Sequence, residues 1–298
     1  MSKSVSKSYL LKAKLVSKAF TVYKRTGFFS REKKEVQALK DFTIEIESPI
    51  ILGLVGPNGA GKTTFIKHCL GLVEKTSGEI EVLGYDPYTG EPKTEETISI
   101  QKSHENIFTG ISRMLGGGYD RADFLRQVGL VSGQKQNLDP NLSALESLRL
   151  SGYLYDMTTE NIEERINSLV DRFNIREKLD VPVRQLSLGQ RMKFEIISSV
   201  LHSPRFLFMD EPTLGLDFEA QTTMREMLAE LHKTQNLTIL LTSHYLPDIT
   251  TLCSRVVVIQ DGQGVFDGTI SELMNKSGSD GYLKTLIEEL SKEEKKGE

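Results

Sequence analysis

At 298 residues, with 38% hydrophobic and 26% charged side chains, the chain can form one or two domains around a substantial core and has the make-up of a globular protein. A formal net charge of −4 gives no global electrostatic case for binding nucleic acid or anionic lipid. Cys69 and Cys253 form no disulfide framework and point to a reducing compartment, and no apolar run approaches the ~20 residues of a membrane-spanning helix.

In chain order, residues 8–50 read as strands with a polar interruption: 42–47 alternates as a half-buried strand, and 24–34 is charged enough for an exposed hairpin loop. The apolar run Ile50-Ile51-Leu52-Gly53-Leu54-Val55 is a buried strand, and Phe65 to Leu70 belongs to a helix. Between them Gly56-Pro57-Asn58-Gly59-Ala60-Gly61-Lys62-Thr63-Thr64 fits G-x-x-x-x-G-K-[ST], flanked as that pattern requires. Such glycines let backbone N–H groups curl around phosphate oxygens, the helix start adds partial positive charge, Lys62 reaches the outer phosphates, and the Thr63 hydroxyl can ligate Mg²⁺.

Residues 78–84 form one more strand before the turn-rich 85–90. From 91 to about 121 the chain is polar, with an amphipathic stretch at Ile107, Phe108, Ile111, Met114 and Leu115. A strand at 128–131 leads to Ser132-Gly133-Gln134, and a helical section follows over roughly 143–179. Beyond it helices (190–202, 218–233) alternate with strands (206–209, 237–242, 255–259), which predicts a mainly parallel sheet covered on both faces. The charged tail from Leu283 reads as a solvated helix, and no second phosphate loop is present.

The strand 206–209 runs straight into Asp210-Glu211, where a nucleotide-binding sheet places a Mg²⁺ partner and a residue beside the attacking water. Leu186-Ser187-Leu188-Gly189-Gln190-Arg191 then resembles the Leu-Ser-Gly-Gly-Gln signature of ABC transporter ATP-binding subunits, with Leu188 in place of the first glycine. Leu214-Gly215-Leu216-Asp217 is similar to that family's D-loop and Leu241-Thr242-Ser243-His244 to its switch histidine, in family order. The resemblance covers roughly residues 10–270. The runs 131–138 and 182–192 look most like the daunorubicin-resistance-type exporters. Ser48-Pro49 departs from the Gly-Glu that usually precedes the phosphate-loop strand, and the connector 91–121 is longer than usual.

The resemblance implies an α/β fold: a P-loop NTPase core with a mainly parallel sheet, an antiparallel β subdomain and an inserted α-helical subdomain. Residues 8–270 would form a single ATPase domain, with 8–90 and 191–270 as core and β subdomain, 91–121 as inserted connector and 135–190 as helical subdomain. Residues 271–298 would be the tail. It implies ATP and Mg²⁺ as cofactors and hydrolysis to ADP and phosphate, with Glu211, His244 and Lys62 catalytic. Nucleotide would be held by Phe20, stacking on adenine with Tyr23 as its alternate, and by Gly56, Asn58, Gly59, Gly61, Lys62, Thr63, Thr64 and Gln134. Ser187, Gly189, Gln190 and Asp217 would serve the nucleotide across a dimer, and Thr63, Gln134 and Asp210 the metal. The implied partners are a second nucleotide-binding subunit, most simply another copy, and a membrane-spanning permease on a separate chain, with no nucleic acid. The implied location is the cytoplasmic face of the cell membrane, peripheral through that permease. An alternative within the same resemblance is an ABC-type ATPase that remodels a non-transport complex. The stretch 107–115 would either touch a permease or pack on the protein's own core.

Overall fold

Strands β1 (Leu11–Arg25) and β2 (Arg31–Ile46) pair antiparallel, and β4 (Ser77–Val82) adds to the other edge of β1, giving the order β2-β1-β4. Leu11, Ala13, Leu39, Phe42, Ile44 and Ile46 are buried between charged neighbours, the alternation of a sheet with one dry face. This is the antiparallel β part that the resemblance implies. The hairpin strands run further than their composition suggests: Lys24 and Arg25 belong to β1, and Arg31 to Lys34 belong to β2. The computed structural model describes residues 9–25, 31–104, 121–133, 137–243, 245–276 and 284–288. The expected site residues Gln134 and His244, the side chain of Tyr23 and the stretch 107–115 lie outside what it describes.

The chain divides into two units, residues 1–48, 54–124 and 255–298 in the first and residues 49–53 and 125–254 in the second. In the first unit, α1 (Lys62–Cys69) follows the end of β3 (Ile51–Val55). Phe65 of α1 meets Phe42 of β2 edge-on with ring centroids 4.7 Å apart, which seats the helix on the antiparallel sheet. Downstream lie α2 (Glu95–His104) and the one-turn α3 (Ala122–Leu125). Thr97 of α2 is buried and donates to the Gly84 carbonyl at 3.1 Å.

In the second unit β5 (Val128–Ser132), β6 (Phe206–Asp210) and β7 (Thr238–Thr242) run parallel, in register from Val128–Phe206–Thr238 to Ser132–Asp210–Thr242. Phe206 to Met209 are wholly buried, which explains why a central parallel strand reads as an uninterrupted apolar run. The helical section is α4 (Ala144–Leu154) and α5 (Thr159–Arg172), each with a capping hydroxyl, Ser143 and Thr158. Ile162, Ile166, Leu169 and Val170 form the buried stripe of α5. Then come α6 (Leu188–Val200), α7 (Phe218–Gln235) and α8 (Leu246–Leu252). Back in the first unit, β8 (Arg255–Gln260) and β9 (Gln263–Gly268) form an antiparallel hairpin before α9 (Ile270–Met274). Residues 284–288 of the tail are helical.

Candidate functional site

The glycine-rich loop is shaped by close backbone approaches. A Cβ on Gly56 would stand 2.1 Å from the Ile259 carbonyl oxygen, so only glycine fits where β3 ends beside β8. Gly61 has φ 109° and ψ 0°, and a Cβ there would lie 2.4 Å from the Ala38 carbonyl oxygen. It is also the N-cap of α1, where no side chain caps the helix and no acidic residue occupies the first turn. A helix start of that kind offers its N–H groups and partial positive charge to an anion. Lys62 is buried, and its Nζ donates to the carbonyls of Gly56 at 2.7 Å and Pro57 at 3.2 Å, folding the side chain back over the loop. Asn58 and Gly59 are exposed, and Thr63 and Thr64 are half-buried in the first turn. Phe20 lies on β1 with the Lys18 ammonium 5.0 Å from its ring centroid, and it is 38% exposed.

In the second unit the strand ends gather the acids. Thr242 at the end of β7 donates from Oγ1 to Asp210 Oδ1 at 2.9 Å. The Glu211 N–H donates to the Thr242 carbonyl at 3.2 Å and to Thr242 Oγ1 at 3.1 Å. Glu211 sits at φ 54°, a left-handed conformation costly for a glutamate and tolerated only where its surroundings hold it. The Gly133 N–H donates to the Asp210 carbonyl at 2.9 Å, and a Cβ on Gly133 would stand 2.3 Å from the Glu211 carbonyl oxygen. Asp210, Glu211, Thr242 and the residue preceding Gln134 are thus brought together. On the far side of Gln134, the Asn137 N–H donates to both carboxylate oxygens of Glu195 on α6 at 3.1 Å. Burial pushes the Glu195 carboxyl above the usual carboxylate range, against the opposing pull of the amides it accepts from.

The signature segment is a helix start. Ser187 is the N-cap of α6, its Oγ accepts from the Gln190 N–H at 3.2 Å, and its own N–H donates to Gln190 Oε1 at 3.1 Å, a reciprocal capping box. A Cβ on Gly189 would lie 2.8 Å from the Ala220 Cβ of α7, so glycine there is a packing requirement. Leu188 is exposed, which explains how the chain carries a leucine where the signature has its first glycine. Asp217 is the N-cap of α7, accepting from the Ala220 N–H at 2.8 Å. The flanking Leu214 and Phe218 are 54% and 73% exposed, an apolar surface that the sequence reading did not single out. Nor did it single out Thr242 as the partner of Asp210, although its place one strand over from the acids is a usable signal.

The Thr63 hydroxyl in the first unit and the Asp210 carboxylate in the second are each hard oxygens of the kind Mg²⁺ takes. Among the described residues no cluster of three His, Cys, Asp or Glu side chains could hold a metal ion.

Residues 39–214 match the family model described as ABC transporter. The ABC transporter ATP-binding protein NatA of Bacillus subtilis is 29% identical over 252 residues, 85% of this chain and 90% of its own length. A Nod factor export ATP-binding protein I of Cupriavidus metallidurans is 32% identical over 232 residues, 78% of this chain and 66% of its own. The daunorubicin/doxorubicin resistance ATP-binding protein DrrA of Streptomyces peucetius is 28% identical over 243 residues, 82% of this chain and 64% of its own. A solved ATP-binding subunit of an ABC transporter superposes with a TM-score of 0.66 at 25% identity, covering 95% of this chain and 99% of that one.

Proposed function

This chain belongs to the ABC transporter family as an ATP-binding domain of the exporter branch, and we propose that it is the ATPase subunit whose dimer closure drives a separate membrane permease. The observation that carries the reading is the exposed capping box of Ser187 and Gln190, on the same unit as the exposed Leu214 and Phe218. A helix start that presents an anion site outward beside apolar side chains suits a second copy bearing bound phosphates.

In this scheme the Gly56–Thr64 loop and the start of α1 hold the triphosphate, Lys62 neutralises its outer oxygens, and Phe20 supports the adenine. Thr63, Asp210 and Gln134 would hold Mg²⁺, which when bound screens charge on the phosphates. Glu211 orients the attacking water and takes its proton, and His244 steadies that arrangement against the γ-phosphate. Ser187, Gly189 and Gln190 of one copy, with Asp217 ordering the neighbouring turn, complete the site of the other, so hydrolysis requires closure. Among the described residues no helix is long and apolar enough to cross a membrane. In this scheme the chain docks on a separate permease that spans it. The location is then the membrane's cytoplasmic face.

Replacing Glu211 with Gln tests the scheme. The variant should bind ATP, hydrolyse it at least ~10²-fold more slowly and elute as a dimer when ATP is present. Rapid turnover by Glu211→Gln sinks the assignment. Recovery of the wild-type chain with a membrane protein from detergent-solubilised membranes tests the permease, and recovery only with soluble assemblies excludes it.

A further inference from the structure

Asp248, on α8, plays no part in the chemistry above, yet it is fully buried beside both catalytic turns. Its Oδ2 accepts from Thr213 Oγ1 at 2.7 Å and from Ser243 Oγ at 2.8 Å, and its Oδ1 accepts from Arg225 Nη1 on α7 at 3.0 Å. Arg225 is buried as well, and its Nη2 donates to Thr222 Oγ1 at 3.0 Å. A carboxylate out of reach of water needs a counter-charge and filled lone pairs, and Arg225 supplies the charge. The two hydroxyls have a different significance. Thr213 stands two residues after Glu211 and Ser243 one residue before His244, each on the turn that leaves the carboxyl end of a strand.

We propose that Asp248 is a positioning residue for ATP hydrolysis, a buried clasp that holds the turn after β6 and the turn after β7 in one arrangement through Thr213 and Ser243. The proposal rests on the roles given above to Glu211 and His244. The left-handed Glu211 is anchored on its amino side by Thr242, which accepts its N–H at 3.2 Å and 3.1 Å. Two residues on, the bond from Thr213 to Asp248 supplies the second anchor, and one residue further the Leu214 N–H donates back to the Glu211 carbonyl at 3.3 Å. On the other turn Ser243 Oγ accepts from the Tyr245 N–H at 2.9 Å, and the Asp248 N–H donates to the Tyr245 carbonyl at 3.1 Å. Both neighbours of position 244 are therefore fastened to Asp248. A strained conformation persists when surrounding bonds over-determine it, and loosening one anchor frees Glu211 to leave the geometry that orients water.

The test uses the full chain with Thr213→Val, Ser243→Ala, the two combined, and Asp248→Asn. Each single variant should lower kcat by about tenfold or more, with the Kd for MgATP, measured in a Glu211→Gln background, within about twofold of its parent. Because both hydroxyls act through one carboxylate, the double variant should lose little more than the worse single one. A kcat that stays at the wild-type value overturns the proposal, as do single effects that multiply or losses of kcat and affinity in step with the melting temperature. Should Asp248→Asn fold poorly, the near-isosteric Thr213→Val decides. Hydrogen exchange gives a readout that needs no turnover: the segments 211–216 and 243–247 should both exchange faster in each single variant. If the wild-type chain hydrolyses no ATP, the functional assignment falls, while unchanged exchange in either segment overturns the clasp on its own.

Discussion

His202 makes the folded state sensitive to acid. The imidazole lies on the Tyr155 ring, with centroids 3.6 Å apart and planes within 5° of parallel, and its Nε2 meets the Val128 carbonyl at 3.0 Å. That contact makes Nε2 the donor and leaves Nδ1 to receive any further proton, but Nδ1 is buried with no hydrogen-bond partner. Burial therefore lowers the pKa from 6.5 to about 4, with the Arg165 cation adding to the fall and the Val128 bond opposing it. Below pH 6.5 the unfolded chain binds a proton that the folded chain refuses, so stability falls as pH drops toward 4. Each pH unit in that window costs about 1.4 kcal/mol, which sums to about 3 kcal/mol, a large share of a typical stability of about 5–15 kcal/mol. Urea unfolding followed by far-ultraviolet circular dichroism, at steps from pH 7.5 to 4.5, measures it against His202→Phe. The variant keeps the stacked ring and cannot titrate. It should lose a constant increment for the bond to Val128, and its advantage over wild type should grow steadily as pH falls. A difference that stays flat across the window refutes the reasoning.

Other expectations concern the loop and the signature helix. Gly61→Ala should lower the melting temperature of the nucleotide-free chain far more than Gly59→Ala. Both bear the left-handed cost of ~1–2 kcal/mol, but only at 61 does the new Cβ strike the Ala38 backbone, whereas nothing lies within 4 Å of it at 59. Equal effects would show that the approach to Ala38 imposes nothing. For Glu195 the folded pKa is raised, so its contribution is fully present below the unfolded value of 4.5 and is lost as pH rises through the folded one. The melting temperature of wild type relative to Glu195→Gln should therefore fall between pH 4 and neutrality. A rise over that interval would show that the amides of Asn137 and Leu138 outweigh burial.

The parts of the chain whose side chains face one environment were readable. Phe206 to Met209 is a central strand buried on both faces, so its composition declares it, and the acids follow where the burial ends. β9 escaped reading because its sequence, Gln263-Gly264-Val265-Phe266-Asp267-Gly268, is largely exposed and takes its shape from pairing with β8 and from the bidentate bond of Arg255 to Asp267 at 2.6 Å. The ends of β1 and β2 were hidden in the same way, since a charged two-stranded ribbon has the composition of a loop. α2 escaped because only Thr97 gives its described face a buried anchor. In the site, the phosphate loop and the acidic pair are local and were legible. The bonds that orient them are not, because Thr242 reaches Asp210 across 32 positions and Thr213 reaches Asp248 across 35. Pattern gives the residues that do chemistry, while those that hold them become visible only when strands are laid side by side.

The unequal pair at 188 and 189 separates a packing constraint from an exposed position within one short motif. Ala220 of the same protomer forbids any side chain at 189, so that glycine would be retained even by a copy that never met a partner. No comparable constraint acts on 188, whose leucine faces outward. A pattern demanding both glycines would reject this chain for the one letter its own fold leaves open. In the proposed dimer a change at 188 would alter the surface offered to the second copy while leaving the contact of Gly189 with Ala220 intact.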